Sequence, residues 1–137
     1  MKGGGTGEAP AIRLDAFRIG DLDDEDAALF DDAALDEMRA DVGVRIFDEL
    51  YEDAVFEVTE RLASIEISIA EEALDRVARL ATELALTARG AGFAHLAEIS
   101  DSLALCCDAD DIVAARAVGE RVLRIGEKSL LESAKGS

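Results

Sequence analysis

The spacing of apolar residues between positions 74 and 103 constrains this chain most, because it fits two antiparallel helices joined by glycines. Apolar residues at steps of three and four form one stripe along a helix, and such a stripe faces a core. Glycine tolerates the backbone that ends many helices, so Gly90 and Gly92 are expected to stop the first helix before a second begins at Phe93. The predicted core residues are Leu74, Val77, Ala81, Leu84 and Ala88 on the first helix, and Leu96, Ile99 and Leu103 on the second.

A different side of the first helix carries a second row at the same spacing, formed by Asp75, Arg79, Thr82 and Leu86. Three of these residues are polar, as expected for a face that meets solvent. The core stripe does not need Leu86, which makes this leucine a candidate for contact with another protein. We therefore expect the function of the chain to lie on the outer face of this helix.

Length, charge and composition limit the kinds of protein that this chain can be. The chain has 137 residues, which suits one domain, and its formal net charge is −17. Such a field repels nucleic-acid phosphates and anionic lipids, so neither is an expected partner. One proline and 4% aromatic residues favour helices throughout. No segment has the length of a membrane span and the first ten residues lack an apolar signal-peptide core, which predicts a cytoplasmic protein.

The remaining pattern predicts an all-α fold. An aspartate at 31 or 32 precedes a short helix that Gly43 ends near Val42, and a long amphipathic helix covers residues 44–66. Ser68 and Glu71 match a capping box, which would start the next helix at residue 69. The last helix follows the start signals Asp108 and Asp110 and ends near residue 131, with Gly119 and Gly126 permitting close approach of a neighbour. Short links favour an up-down antiparallel four-helix bundle with an additional short N-terminal helix.

Both ends of the chain are expected to lie outside this bundle, which is predicted for residues 29–132. Residues 1–28 are glycine-rich at their start and acidic at 21–26, and we predict a flexible tail. Within it the apolar residues of segment 12–19 could add a turn against the bundle or dock onto a partner. Residues 133–137 are predicted to be disordered. The acidic run lacks the glycine and terminal glutamate of a calcium loop, so no metal is predicted.

The stretch from Ala81 to Leu103 resembles the central hairpin of histidine-containing phosphotransfer (HPt) domains. That family carries Ala-His-x-x-Lys-Gly on one helix and Gly-Ala-x-x-Leu at the start of the next, ten residues after the histidine. Here Gly92 and Leu96 match the second element, and the alanine of the first is kept. The histidine position is occupied by Thr82, and the lysine and glycine positions by Ala85 and Leu86. The resemblance extends over residues 29–131.

This resemblance implies a degenerate, pseudo-phosphotransfer protein of bacterial two-component signalling. It would bind a response-regulator receiver domain or a sensor histidine kinase without carrying phosphate, and would be neither an enzyme nor a cofactor protein. A threonine phosphate is a stable ester, and the hydroxyl is a weak nucleophile without an adjacent base. Glu83 points about 100° away around the helix and is a poor base. The partner-binding residues implied by the resemblance are Ala78, Arg79, Thr82, Ala85, Leu86 and Arg89.

Other interpretations remain open at this point. His95, the only histidine, could be a relocated phosphoacceptor, or simply a partly exposed residue near a helix start. Arg79 and Arg89 could meet the acidic pocket of a receiver domain, or pair with Asp75 and Glu83. The chain could also be a structural bundle that associates with itself. The adjacent Cys106 and Cys107 are expected to be reduced and partly buried, since neighbouring cysteines lack the separation of a normal disulfide.

Overall fold

The computed structural model describes residues 28–135, which form five helices and contain no strand. The prediction of an all-α fold is confirmed. The predicted tail at 1–27, with its apolar segment 12–19 and its acidic run 21–26, lies outside the described residues, as do residues 136 and 137. None of the five helices is long and apolar enough to cross a membrane. The helices are α1 Asp32–Val42, α2 Val44–Ala70, α3 Leu74–Gly90, α4 Ala94–Asp108 and α5 Ile112–Lys135.

The four longer helices surround one core. α2 packs against α3, α3 against α4, α4 against α5, and α5 returns to α2, while α1 contacts α2. Links of three residues join the longer helices, and Gly43 alone separates α1 from α2. The predicted stripes of α3 and α4 are buried, apart from the partly buried Leu74. The largest side chains with less than 2% exposure are Phe93, Ile65, Leu84, Leu96 and Leu103.

Two glycines of α5 allow close approach of α2, as the sequence indicated. A Cβ atom built on Gly119 would overlap Cδ1 of Ile69. One built on Gly126 would lie 2.6 Å from Cδ1 and 3.2 Å from Cγ of Leu62. Both contacts are closer than van der Waals contact, so any side chain at these positions would force the two helices apart or displace the neighbour.

The chain before α1 is tied to the turn between α3 and α4. The Asp31 amide donates to the carbonyl oxygen of Gly92 at 2.8 Å, and the Asp31 carboxylate accepts from the Ala34 amide at 3.0 Å and so caps α1. Gly92 has φ +80, and a Cβ there would lie 2.7 Å from Cγ of Leu35. Glycine is required here both by the left-handed backbone and by the leucine packed on it.

Four predicted helix boundaries are wrong. α2 continues past residue 66 to Ala70, and α3 begins at Leu74 and not at residue 69, because Ser68 is buried at 2% exposure inside α2 and is not an N-cap. Glu72, in the middle of the link before α3, has φ +57. The start of α5 is capped by Asp111, whose Oδ1 accepts from the Ala114 amide at 3.0 Å, and not by Asp108 or Asp110. α5 also extends past the predicted end at residue 131 to Lys135, so the predicted disorder does not begin at residue 133.

The Gly126→Ala variant is expected to lower the free energy of unfolding by about 1–2 kcal/mol. Overpacking against Leu62 costs about 1–3 kcal/mol, and the gain in helix propensity offsets at most about 1 kcal/mol of it. Gly90→Ala is the matched control, since a Cβ there meets nothing within 4 Å. Urea denaturation should show the control unchanged or stabilised. Equal stability of the two variants would contradict the tight α2–α5 contact.

Candidate functional site

The outer face of α3 carries Thr82 near its centre. The core stripe, with Val77, Ala81, Leu84 and Ala88 all at 0% exposure, faces inward, which leaves the side of Thr82 in solvent. The Thr82 hydroxyl donates to the carbonyl oxygen of Ala78 at 3.0 Å, one turn earlier in the same helix. Threonine in a helix makes this bond readily, and it uses the hydroxyl proton. The side chain is exposed, as contact with a partner would require.

Leu86 and Arg79 flank Thr82 on the exposed side of α3. Leu86 is 66% exposed, so it does not contribute to the core, in agreement with the sequence pattern. Arg79 is also exposed, and among residues 28–135 no carboxylate forms an ion pair with it. A large apolar side chain beside a guanidinium group can provide both packing and charge to a bound protein.

Ala78 and Ala85 are less accessible to a partner than predicted. Ala78 is half-buried and Ala85 is buried at 2% exposure. Ala85 stands one helical turn before Arg89, on the side of α3 that turns toward α4. Position 85 therefore cannot contact a partner in this structure, and the prediction is wrong for Ala85. The accessible face is narrower than the sequence suggested and is centred on Arg79, Thr82 and Leu86.

Arg89 pairs across the hairpin. Its Nη2 lies 2.7 Å from Oδ2 of Asp101 on α4, and both side chains are about half exposed. The alternative that Arg89 pairs with Asp75 or Glu83 is wrong, because Glu83 is 3.4 Å from Nε of Arg61 on α2. Exposed pairs of this kind contribute at most about 1 kcal/mol, so Arg89 could exchange its partner at little cost.

Glu83 is directed away from Thr82. The Glu83 carboxylate turns toward α2 and Arg61, whereas Thr82 lies on the solvent side of α3. No described contact places a base against the Thr82 hydroxyl, which instead hydrogen-bonds to Ala78. The site therefore lacks the arrangement that activates a threonine as a nucleophile.

His95 is buried, which corrects the prediction of a partly exposed residue. It lies in the first turn of α4 with 8% exposure. The chain before α1 crosses this turn, and the His95 amide donates to the carbonyl oxygen of Leu29 over 3.5 Å. A phosphoryl donor needs direct access to an imidazole nitrogen. That access is restricted here, because the His95 side chain is buried.

The two cysteines lie near the end of α4 and are not joined in a disulfide. Cys106 is half-buried and Cys107 is buried. The pKa of the Cys107 thiol is raised from 9.0 to about 11, mainly by burial and to a smaller extent by the neighbouring Cys106 and Asp108. Since the thiolate is the reactive form, Cys107 is a poor nucleophile at neutral pH. No group of three histidine, cysteine, aspartate or glutamate side chains within residues 28–135 is arranged to hold a metal ion.

Sequence reasoning missed a groove between α1, α2 and α5, named here the α1–α2–α5 groove. Its volume is about 530 Å³, and its lining includes Phe30, Leu35, Phe47, Tyr51, Asp48 and Glu52. Aromatic residues form 4% of the chain, yet those at 30, 47, 51 and 93 pack in one cluster. The spacing of Phe47 and Tyr51 by one turn at the start of the long helix was the available signal, but only the fold brings Phe30, Phe93 and α5 beside them.

No family model, no curated protein and no solved structure matches this chain. The candidate site therefore depends on the geometry of α3 and on the residues that the sequence places there.

The buried Cys107 thiol predicts a loss of stability in alkaline solution. Its pKa is about 11 in the folded state and 9.0 as the ordinary value, so the unfolded chain releases this proton first as the pH rises. The free energy of unfolding should therefore fall between about pH 9 and pH 11, and this component should be absent in Cys107→Ala. Denaturation across that range should leave the component in the matched variant Cys106→Ala. Parallel curves for all three proteins would contradict the burial of this thiol.

Proposed function

We propose that this chain is an HPt-like, pseudo-phosphotransfer protein of a bacterial two-component phosphorelay, acting in the cytoplasm. It binds a receiver domain of a response regulator or a sensor histidine kinase through the outer face of α3, without carrying phosphate itself. The observation that carries this proposal is the exposure of Thr82 on the outer face of α3, at the position where the HPt family has its phosphohistidine.

The proposed architecture is an up-down antiparallel four-helix bundle, α2 to α5, with α1 as the additional short helix. Support comes from the three-residue links between the long helices, which favour antiparallel neighbours. The closed set of contacts from α2 through α3, α4 and α5 back to α2 is of the kind such a bundle requires. α1 packs beside this set through Leu35, which lies on Gly92.

The chemistry at position 82 supports binding without phosphate transfer. A reversible relay needs a labile phosphoryl bond, such as the phosphorus–nitrogen bond of a phosphohistidine, whereas a threonine phosphate is a stable ester. The Thr82 hydroxyl donates to the carbonyl oxygen of Ala78, and the acidic residue that follows in sequence, Glu83, pairs with Arg61. Leu86 stands where the family has glycine, so the surface gains an apolar side chain that is 66% exposed. Such a residue is suited to anchor a bound protein.

Charge restricts the partner's orientation. The net charge of −17 would repel an acidic protein brought up in most directions. Arg79 and Arg89 form the basic part of the α3 face, and Arg89 is held only by an exposed pair with Asp101. The acidic pocket of a receiver domain would meet these guanidinium groups, which then favour this face over the acidic remainder of the surface.

Substitution of Leu86 tests whether the partner binds to the α3 face or to another part of the surface. The change Leu86→Asp removes an apolar anchor and adds repulsion, so affinity for a cognate receiver or kinase should fall at least about tenfold. Leu131→Asp is the matched control, because Leu131 is 60% exposed on α5, a helix that packs against α2 and α4. Titration calorimetry with receivers from the same cell measures both. Equal weakening by the two changes would exclude the α3 face.

Phosphoryl labelling tests the alternative of a relocated acceptor at His95. Incubation with a phosphorylated receiver or an active kinase should leave the wild-type chain without acid-labile label, since His95 is 8% exposed. Acid-labile label that disappears in His95→Gln would overturn the proposal in favour of an active phosphotransfer protein.

Sedimentation tests the alternative of self-association. A tight complex of two copies that buries Arg79, Thr82 and Leu86 would leave no surface for a receiver.

A further inference from the structure

The α1–α2–α5 groove combines aromatic walls with acidic edges. Phe47 and Tyr51 stack with ring centroids 5.6 Å apart, and Tyr51 meets Phe93 edge to face at 6.0 Å. The Tyr51 hydroxyl and Ser133 Oγ are hydrogen-bonded at 2.9 Å, which joins α2 to α5 at this point. A groove of about 530 Å³ can hold two or three apolar side chains. Its walls therefore suit a short apolar segment.

The acidic residues at its edges favour a basic occupant. Asp48 and Glu52 line the groove, and neither forms an ion pair with a basic residue of the described chain 28–135. Glu132, from α5, pairs with the exposed Lys135 at 3.3 Å. Arg39, the basic residue among the described lining residues, is already engaged, with its guanidinium carbon 4.7 Å from the Phe47 ring centroid and a contact to Asp36. An arginine entering the groove would find carboxylates available.

One segment of this chain has the matching composition. Residues 11–19 read AIRLDAFRI, with two arginines against one aspartate in a chain whose net charge is −17. Its apolar residues are Ile12, Leu14, Phe17 and Ile19. The segment is also tethered close to the groove, since Phe30 belongs to the groove lining and lies eleven residues after Ile19. Eleven residues span up to about 36 Å when extended, and a short tether raises the effective concentration to the millimolar range.

We propose that residues 11–19 of this chain dock into the α1–α2–α5 groove. Phe17 enters beside Phe47 and Tyr51, and Arg13 and Arg18 meet Asp48 and Glu52 at its edge. The occupied groove covers the aromatic cluster and brings basic charge to an acidic surface. This docking site is separate from the α3 face and does not depend on the function proposed for it.

The full-length chain offers a direct readout, because Tyr51 is its only tyrosine and it has no tryptophan. Quenching of Tyr51 fluorescence by acrylamide reports whether the groove is covered. Phe17→Asp removes the aromatic anchor and should lower the docking equilibrium constant by about thirtyfold, so Tyr51 should become more strongly quenched. Phe56→Asp is the matched control, since Phe56 is 63% exposed on α2 and does not line the groove. Identical quenching of wild type and Phe17→Asp would overturn the proposal.

Two further arms identify the occupant. Arg18→Glu should increase the quenching of Tyr51, and combining it with Glu52→Arg should restore protection, since the two charges are exchanged. A double variant as strongly quenched as Arg18→Glu alone would count against the proposal.

Measurement over a range of protein concentrations distinguishes docking of the chain's own segment from docking of a second copy. Quenching independent of concentration supports docking within one chain, whereas protection that appears only at high concentration would overturn it.

Discussion

The close contact between α2 and α5 is the constraint on which the other helices depend. Gly119 and Gly126 have no side chains, and Ile69 and Leu62 occupy the space above them. This contact closes the set of helices that begins with α2 and passes through α3 and α4. With larger residues at either glycine, α5 would stand farther from α2, and the core between them would lose the density that dispersion and apolar burial require. The position of the α3–α4 hairpin follows from this spacing.

Apolar periodicity predicted much of the fold, because burial repeats with the period of the helix. The stripes on α3 and α4 and the start of α2 after Gly43 were found this way. The prediction of a capping box at Ser68 and Glu71 was wrong because Ser68 is buried within α2. The sequence alone does not show which helices pack against a given serine. The same limitation explains Ala85 and His95. Their burial depends on how the helices pack against one another, which is a tertiary property.

The candidate site was predictable to the extent that it belongs to one helix. Thr82 and Leu86 are exposed because they lie opposite the core stripe, which is a local property of α3. The α1–α2–α5 groove requires three helices, and the contact of Tyr51 with Phe93 joins residues that lie far apart in the sequence. The ion pairs could not be predicted from the sequence either, since Arg89 pairs with Asp101 on α4 and Glu83 pairs with Arg61 on α2. Which surface charges pair depends on the packing of the helices.

The hydrogen bond from Asp31 to Gly92 also determines how mechanical load enters this domain. Tension applied to the chain ahead of Leu29 would reach the α3–α4 turn first, through Asp31 and the contact between Leu29 and His95. The long helices would bear this tension only after the hydrogen bonds from Asp31 to Gly92 and from His95 to Leu29 had broken. Once the proposed groove segment 11–19 is released, a pull from the N-terminal side is coupled to the hairpin that presents Thr82 through the hydrogen bonds of Asp31 and Leu29.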